Sequence, residues 1–204
     1  MLHVLRTSAP PDEDYVLRSM FAARKSVFVD LLKWDVPVID DAYEVDQFDD
    51  GHATYLVLAD RQGAHMGSAR LLQTVRPHIL DSFYEALCDG APPRGPTTRE
   101  ITRFCLDRRL TARERRSVRN TLVGAIANHA LANGISLYTA IAEVGWMQQI
   151  LAFGWRCQPL GLPREIGGQL LGALRIEITS ETPALLAAAG ITADPQLTQI
   201  RIAA

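Results

Sequence analysis

The sequence lacks the features that mark several classes of protein. Its three cysteines are an odd number without metal-ligand spacing, which is typical of a reducing compartment and gives no reason to expect a metal centre. No apolar run reaches the roughly 18 residues of a membrane span, and no basic region followed by an apolar one marks a signal peptide at the N-terminus. With a formal net charge of −2, no nucleic-acid partner is indicated. We therefore expect a cytoplasmic protein without a membrane span.

Basic residues are also missing from one acidic segment. Residues 35–50 contain seven acidic side chains and no Lys or Arg. Most charge runs are solvated, but Phe48 lies between Asp46 and Asp49 and should draw that part of the segment toward the core. Buried carboxylates need Arg partners or hydrogen bonds. We therefore expect Asp46 and Asp49 to be partly buried and paired.

Two arginines inside apolar strands are the candidate partners. Arg70 is flanked by Ala69 and Leu71, and Arg103 lies in the alternating stretch REITRFCLD. A buried guanidinium in such a strand is costly unless it is paired. The sequence thus predicts a charge network of Asp46 and Asp49 with Arg70 and Arg103.

The remaining pattern describes one mixed domain over residues 1–204. The periodicity predicts helices over 12–32, 78–88, 111–132, 144–153 and 182–189, and strands over 2–6, 54–60, 65–74, 98–107, 135–142 and 171–179. Residues 33–53 show no period, and so long a loop within a compact domain is often functional. Helices alternate here with adjacent strands, so we expect an α/β (α+β) fold with a sheet flanked by helices.

An arginine and two aromatic residues are grouped at the end of the first helix. Arg24 and Phe28 are four residues apart and share one helix face, and Trp34 follows. One interpretation is a pair of core aromatics beside a solvated arginine. The other is a pocket wall, in which the aromatics hold an apolar or cationic group and the arginine holds an anion.

Glu100 and Arg103 on the predicted strand 98–107 also allow two interpretations. A regular pleat places positions three apart on opposite faces, so the two side chains have different partners or a bulge turns one of them. They form a structural ion pair, or they hold a carboxylate near an amine as a base or an anchor.

Together these residues resemble the acyl-homoserine-lactone synthases of bacterial quorum sensing, the LuxI type, over nearly the whole chain. The matching motifs are R-x-x-x-F with a later Trp (Arg24, Phe28, Trp34), D-x-F-D (Asp46, Phe48, Asp49), G-x-x-R-L (Gly67, Arg70, Leu71) and E-x-S/T-R-F (Glu100, Thr102, Arg103, Phe104). The resemblance implies an N-acetyltransferase-like twisted mixed sheet. Residues 1–110 would mainly form the S-adenosylmethionine site, and residues 111–204 the acyl-chain pocket.

The resemblance also implies a reaction. The amine of S-adenosylmethionine attacks an acyl thioester, and lactone formation then releases methylthioadenosine. S-Adenosylmethionine is a substrate, so no cofactor is expected. Phe28 and Trp34 would enclose its sulfonium and adenine, and Arg24 would face its carboxylate. Glu100, directly or through water, would take the proton, with Arg103 beside it.

The remaining substrate-binding positions implied by the resemblance are Asp46, Asp49, Arg70, Phe104, Ala140, Ala142 and Trp146. Ala140 stands where a threonine often accompanies 3-oxo acyl substrates, and Thr139 lies one residue away and points the other way. Six arginines between 108 and 119 are the candidate contact for acidic acyl carrier protein or for the phosphates of acyl-CoA. The alternative is a solvated start of a helix.

Two other functions are compatible with these residues. One is an N-acyltransferase that uses acetyl-CoA, although the stretch DRRLTARERR replaces the glycine-rich turn that those enzymes usually carry. The other is a non-catalytic ligand-binding protein, in which the acidic segment and Glu100 are purely structural.

Overall fold

The computed structural model describes residues 1–6, 14–197 and 200–202. The strands are β1 (Leu2–Arg6), β2 (Val38–Ile39), β3 (Tyr43–Glu44), β4 (Thr54–Ala59), β5 (His65–Gln73), β6 (Thr98–Leu106), β7 (Leu137–Glu143), β8 (Arg156–Pro159), β9 (Arg164–Ile166), β10 (Gln169–Glu177) and β11 (Ile200–Ile202). The helices are α1 (Tyr15–Arg24), a π-helix (Lys25–Leu31), α2 (Ile79–Phe83), a 3₁₀ turn (Glu85–Leu87), α3 (Ala112–Ala132), α4 (Val144–Leu151) and α5 (Thr182–Ala188).

The chain divides into two compact units. The first comprises residues 1–71, 103–125 and 193–204, and the second comprises 72–102 and 126–192. Our prediction of one domain, with its functional division near residue 110, stays a prediction.

In the first unit, β4 lies at the centre of the pairing. It runs antiparallel to β1 and to β5, and β1 pairs in parallel with β11. Its residues 55–59 are completely buried, which explains the continuous apolar sequence of this strand. Asp14 caps the start of helix α1, and its carboxylate accepts hydrogen bonds from the amides of Val16 and Leu17. Phe21 of α1 packs edge-on against Tyr55, with ring centroids 5.9 Å apart.

The first predicted helix has an unexpected second half. Residues 12 and 13 lie outside the described residues, and α1 continues after Arg24 as a π-helix over residues 25–31. The Leu32 amide bonds to the Val27 carbonyl, five residues back. Such wide turns are rare and often occur at functional sites, and apolar periodicity does not distinguish them from α-helix.

The predicted loop over 33–53 contains a small hairpin, β2–β3. Its turn is made by Asp40 and Asp41, both in the left-handed region with φ of 53° and 52°. Aspartate is among the few residues that tolerate this conformation, and hairpin turns favour it. The turn therefore gives two of the acidic residues in this segment a backbone role, and it leads the chain back to Glu44 on β3.

In the second unit, the first residues of β6 pair in parallel with β7. Strand β7 is antiparallel to β10, which also pairs with β8 and β9. The short strands β8 and β9 were not predicted, because their three or four residues show no clear alternation. The core of this unit contains Leu80, Leu87 and Ala173.

The predicted fold class is confirmed. Parallel and antiparallel pairs both occur, as a mixed sheet requires, and helices flank the strands. None of the helices in the described ranges is long and apolar enough to cross a membrane.

Candidate active site

Arg24 anchors a cluster of buried charges in the first unit. Its Nε donates to Glu44 at 2.5 Å, and its two terminal nitrogens donate to the two oxygens of Asp49 at 2.8 Å each. The Arg24 side chain is only 1% exposed. Its guanidinium is therefore paired with two carboxylates of the protein. This arrangement does not support the expectation that Arg24 faces a substrate carboxylate.

The other two arginines complete the cluster. Arg70 contacts Asp46 at 2.6 Å and Asp49 at 2.8 Å. Arg103 contacts Glu44 at 2.9 Å and Asp46 at 2.7 Å. The predicted network of Asp46, Asp49, Arg70 and Arg103 is thus present, enlarged by Arg24 and Glu44.

Sequence reasoning missed Glu44. Its side chain is fully buried and links Arg24 to Arg103. The available signal was the turn pair Asp40–Asp41 between the apolar residues of β2 and β3, which indicates a hairpin that returns residue 44 toward the core. By contrast, Asp35, Asp40, Asp41 and Asp50 are exposed, as most charge runs are.

An aromatic pair borders this cluster. Phe28 and Trp34 are stacked, with centroids 4.7 Å apart and an interplanar angle of 13°. The guanidinium carbon of Arg103 lies 5.7 Å from the Phe28 ring and 5.9 Å from the Trp34 ring. Phe28 is buried and Trp34 is half-buried. The stacked pair is compatible with both interpretations, but Arg24 is buried and is not the solvated arginine of the core-aromatic interpretation.

The backbone of β6 has an unusual conformation at Arg103. Its φ is 49°, in the left-handed region that a non-glycine residue adopts rarely and at a cost of about 1–3 kcal/mol. A left-handed residue within a strand interrupts the regular pleat. Glu100 and Arg103 have different partners, which was one of the two expectations, and the predicted bulge stays a prediction.

The charges in the cluster stabilise one another. Burial opposes ionisation of Asp49, but Arg24 and Arg70 outweigh it and hold the pKa of that carboxyl well below its usual range. Burial likewise opposes the charge of Arg24, whose pKa is nevertheless raised by Asp49 and Glu44. The Tyr55 hydroxyl donates to Asp49 at 2.8 Å, and its pKa is raised by burial and by that carboxylate.

Exposure differs across the six side chains. Those of Arg24, Glu44, Asp49 and Arg70 are at most 1% exposed. Asp46 and Arg103 are 6% and 10% exposed. These two side chains are the most exposed to solvent in the cluster, so a ligand can reach them with the least rearrangement.

Glu100 belongs to the second unit and is completely buried. Its Oε2 accepts a hydrogen bond from the Ile79 amide at 2.8 Å, and its Oε1 accepts one from the Leu80 amide at 3.0 Å. These amides form the first turn of α2. These two hydrogen bonds therefore give the carboxylate a fixed orientation.

The predicted acyl-pocket residues lie on β7 and α4 in the second unit. Ala140 and Ala142 are buried and share one face of β7. Gly172 pairs with Ala142, and a Cβ built on Gly172 would lie 2.4 Å from the Met147 sulfur, so this face is covered by α4. Trp146 of α4 is half-buried and packs edge-on against Phe153. Thr139 points to the opposite face.

Phe104 and the arginine-rich segment follow Arg103 in the first unit. Phe104 is half-buried. A cavity of about 460 Å³ is lined by Ser19, Ala22, Ala23, Ser26, Val27, His65, Asp107, Arg108 and Arg109. Arg108, Arg109, Arg113 and Arg116 are exposed, and Arg109 pairs with Asp107. Burial lowers the pKa of His65 to about 4, so this side chain is neutral near pH 7.

The fold is shared with N-acyltransferases. An acyl-CoA N-acyltransferase from Pseudomonas aeruginosa superposes with a TM-score of 0.60 over 86% of this chain and 97% of that one, at 15% identity. This likeness concerns the fold alone.

Closer similarity defines the family. The autoinducer synthase family model matches residues 12–184. An acyl-homoserine-lactone synthase of Ralstonia nicotianae is 33% identical over 84% of this chain and 87% of its own length. The structure of BjaI, a CoA-dependent acyl-homoserine lactone synthase, with MTA superposes with a TM-score of 0.83 at 25% identity, covering 100% of this chain and 93% of that one. The chain therefore belongs to the autoinducer synthase family.

Proposed function

We propose that this acyl-homoserine-lactone synthase makes an N-acyl-L-homoserine lactone, a quorum-sensing signal, from S-adenosylmethionine and an acyl thioester. The amine attacks the thioester carbonyl, and the amide forms as the thiol leaves. The methionyl carboxylate then displaces the sulfonium at the γ-carbon, which closes the lactone and releases methylthioadenosine. The observation that carries this proposal is the cluster of three arginines and three carboxylates beside the Phe28–Trp34 stack. No cofactor is needed, because S-adenosylmethionine is itself consumed.

The aromatic pair and the outer members of the cluster suit S-adenosylmethionine. Trp34 offers a half-buried ring to the sulfonium or the adenine, by cation–π contact or stacking. Because Arg24 is enclosed, we assign the methionyl carboxylate to Arg103 and the ammonium to Asp46, the two more exposed members. The similar synthase BjaI, whose structure has been determined with SAM and isopentyl-CoA, supports this substrate pair.

Glu100 is proposed to accept the ammonium proton, directly or through a water. The two amides hold the carboxylate in a fixed orientation, which a positioned proton acceptor requires. Ala140, Ala142 and Trp146 are proposed to line the acyl chain, since the face of β7 under α4 is apolar and carries two small residues.

The acyl group must arrive on a negatively charged carrier, either acyl carrier protein or CoA. The exposed arginines of residues 108–119, opposed in that stretch only by Glu114, give the first unit a basic surface next to the cavity lined by Arg108 and Arg109. This surface is the proposed contact for the carrier. Its charge contributes chiefly to the association rate and therefore weakens with salt.

The test supplies the purified protein with S-adenosylmethionine and a series of acyl thioesters on CoA or on acyl carrier protein. Methylthioadenosine, free thiol and acyl-homoserine lactone should appear in equal amounts. Amide without methylthioadenosine would indicate a simple N-acyltransferase, and binding without turnover would indicate a ligand-binding protein. Comparing kcat/KM for the two carriers at low and high salt identifies the donor.

A further inference from the structure

The Glu100 carboxylate is bound at the amino end of α2. The Ile79 amide holds one oxygen and the Leu80 amide holds the other. Two donors, one to each oxygen, fix both the position and the rotation of a carboxylate. The orientation of the Glu100 carboxylate therefore depends on where α2 begins.

Helix α2 has only five residues and cannot hold that position by itself. Its start is fixed by a reciprocal cap between His78 and Asp81. The His78 amide donates to Asp81 Oδ1 at 2.8 Å, and the Asp81 amide donates in return to the His78 side chain. His78 Nδ1 also lies 3.0 Å from the Arg76 carbonyl and 3.2 Å from Asp81 Oδ1. The imidazole is completely buried.

A second set of contacts ties Asp81 to the strand that carries Glu100. Arg94 lies 3.2 Å from Asp81 Oδ2, and its Nε donates to the Thr74 carbonyl at 3.0 Å. The Thr74 hydroxyl lies 3.1 Å from the carbonyl of Thr98, the first residue of β6. The start of α2 is thus connected to β6 both through Glu100 and through this chain of polar contacts.

We propose that Asp81 and His78 are positioning residues for the reaction, which act through the α2 amides to orient the Glu100 carboxylate. The proposal rests on the proton-accepting role assigned to Glu100 above. Asp81 is 15% exposed and contributes little to the apolar core, so its replacement should leave the second unit folded.

The test compares Asp81→Ala with Asp81→Asn, which keeps an oxygen acceptor for the His78 amide. Asp81→Ala should lower kcat by roughly 10- to 100-fold, the effect of a displacement of about 1 Å at a catalytic group, with little change in the KM for S-adenosylmethionine. Asp81→Asn should recover most of the lost kcat. Glu85→Gln, which removes an exposed carboxylate from the adjacent 3₁₀ turn, is the matched control and should resemble the parent.

The outcomes separate this inference from the proposed role of Glu100. If Glu100→Gln is impaired but Asp81→Ala keeps its kcat within about two-fold of the parent, the positioning role is wrong and the role of Glu100 stands. Normal turnover by Glu100→Gln across the pH range would overturn both. Should Asp81→Ala lose its circular dichroism signal, Arg94→Gln decides the matter, because Arg94 is 52% exposed and its replacement removes the ion pair of Asp81 while sparing the core. Arg94→Gln should then lower kcat several-fold, and a parent-like kcat in this variant would refute the proposal.

Discussion

At the scale of single residues, the cluster is electrically balanced. Three arginines face three carboxylates, and each described carboxylate contacts two arginines. The negative charge of Glu44, Asp46 and Asp49 is therefore largely offset by the three guanidinium groups. These buried carboxylates fix three guanidinium groups in place, which gives an ordered site whose polar groups need little rearrangement when a substrate binds.

Arg70 offers the most direct test of this balance. Arg70→Ala should lower the free energy of unfolding by about 3–5 kcal/mol, because it leaves the carboxylates of Asp46 and Asp49 buried with fewer partners. Urea denaturation measures the loss. Arg156→Ala is the control, since its pair with Glu181 is more than half exposed and should contribute at most about 1 kcal/mol. Equal losses in the two variants would contradict a buried network.

Asp49 predicts how stability depends on pH. Its pKa in the folded chain lies below the unfolded value of about 3.9, so its stabilising contribution is fully present above that value and is lost as the pH falls toward the folded pKa. Between pH 6 and pH 3 the stability advantage of the parent over Asp49→Asn should therefore shrink. Urea denaturation at each pH measures this difference. An advantage that stays constant over the range would show that Asp49 titrates normally, and the exposed Asp50→Asn should follow the parent.

At the scale of elements, two irregularities coincide with the site. The π-helix carries Phe28, and the left-handed residue in β6 is Arg103 itself. The Arg103 guanidinium lies against the Phe28 ring. Neither the π-helix nor the left-handed residue can be predicted from the periodicity of apolar side chains. Both involve residues that contact one another, Phe28 and Arg103. Such irregularities persist when surrounding contacts hold them in place, as the buried ion pairs do here.

These irregularities also mark the limit of prediction from the sequence. The long strands and helices follow from apolar periodicity, and Arg70 and Arg103 were predicted as partners because a charged side chain in an apolar strand needs one. Glu44 was missed because its burial depends on the Asp40–Asp41 turn. The pairing of Arg24 with protein carboxylates was missed for the same reason, since Glu44 is one of its two partners. Contacts between residues distant in sequence decided both cases.

Gly67, part of the G-x-x-R-L motif, tests the packing of β5 against α3 in the first unit. A Cβ at this position would lie 2.6 Å from Val118 Cγ1 and 3.0 Å from Leu106 Cδ2. Gly67→Ala should therefore lower the free energy of unfolding by about 1–3 kcal/mol through overpacking. Thermal denaturation measures the effect. Gly90→Ala, where a Cβ meets nothing within 4 Å, is the control, and a Gly67→Ala variant that melts with the control would disprove the close approach.

At the scale of the whole molecule, the residues assigned to the proposed reaction are distributed over both compact units. The first holds the charge cluster, the aromatic pair and the basic surface, whereas the second holds Glu100 and the apolar face of β7. Strand β6 contributes residues to both units, with Glu100 in one and Arg103 in the other. A single strand therefore carries the proposed proton acceptor and the proposed carboxylate-binding residue, three positions apart.

The product of the whole enzyme should carry an acyl chain without a 3-oxo group. Ala140 and Ala142 lie on the face of β7 under α4 and have no hydroxyl, and Thr139 lies on the other face. A 3-oxo group buried against them would lose its hydrogen bonds to water, at a cost of about 1–3 kcal/mol. Small side chains also leave room for a medium or long chain, and each buried methylene contributes about 0.8 kcal/mol.

Competition between acyl and 3-oxo-acyl thioesters of equal length measures this preference, and mass spectrometry of lipids from an expressing culture identifies the natural product. The unsubstituted thioester should have the higher kcat/KM. Ala140→Thr supplies a hydroxyl on the face under α4 and should move the ratio toward the 3-oxo substrate. Thr139→Val is the matched control. It removes a hydroxyl from the opposite face of β7, because valine has nearly the same shape as threonine but no hydroxyl, and it should leave the ratio unchanged. A several-fold higher kcat/KM for the 3-oxo thioester with the parent enzyme would defeat the argument, because it would require an oxygen-binding group that this face of β7 does not supply.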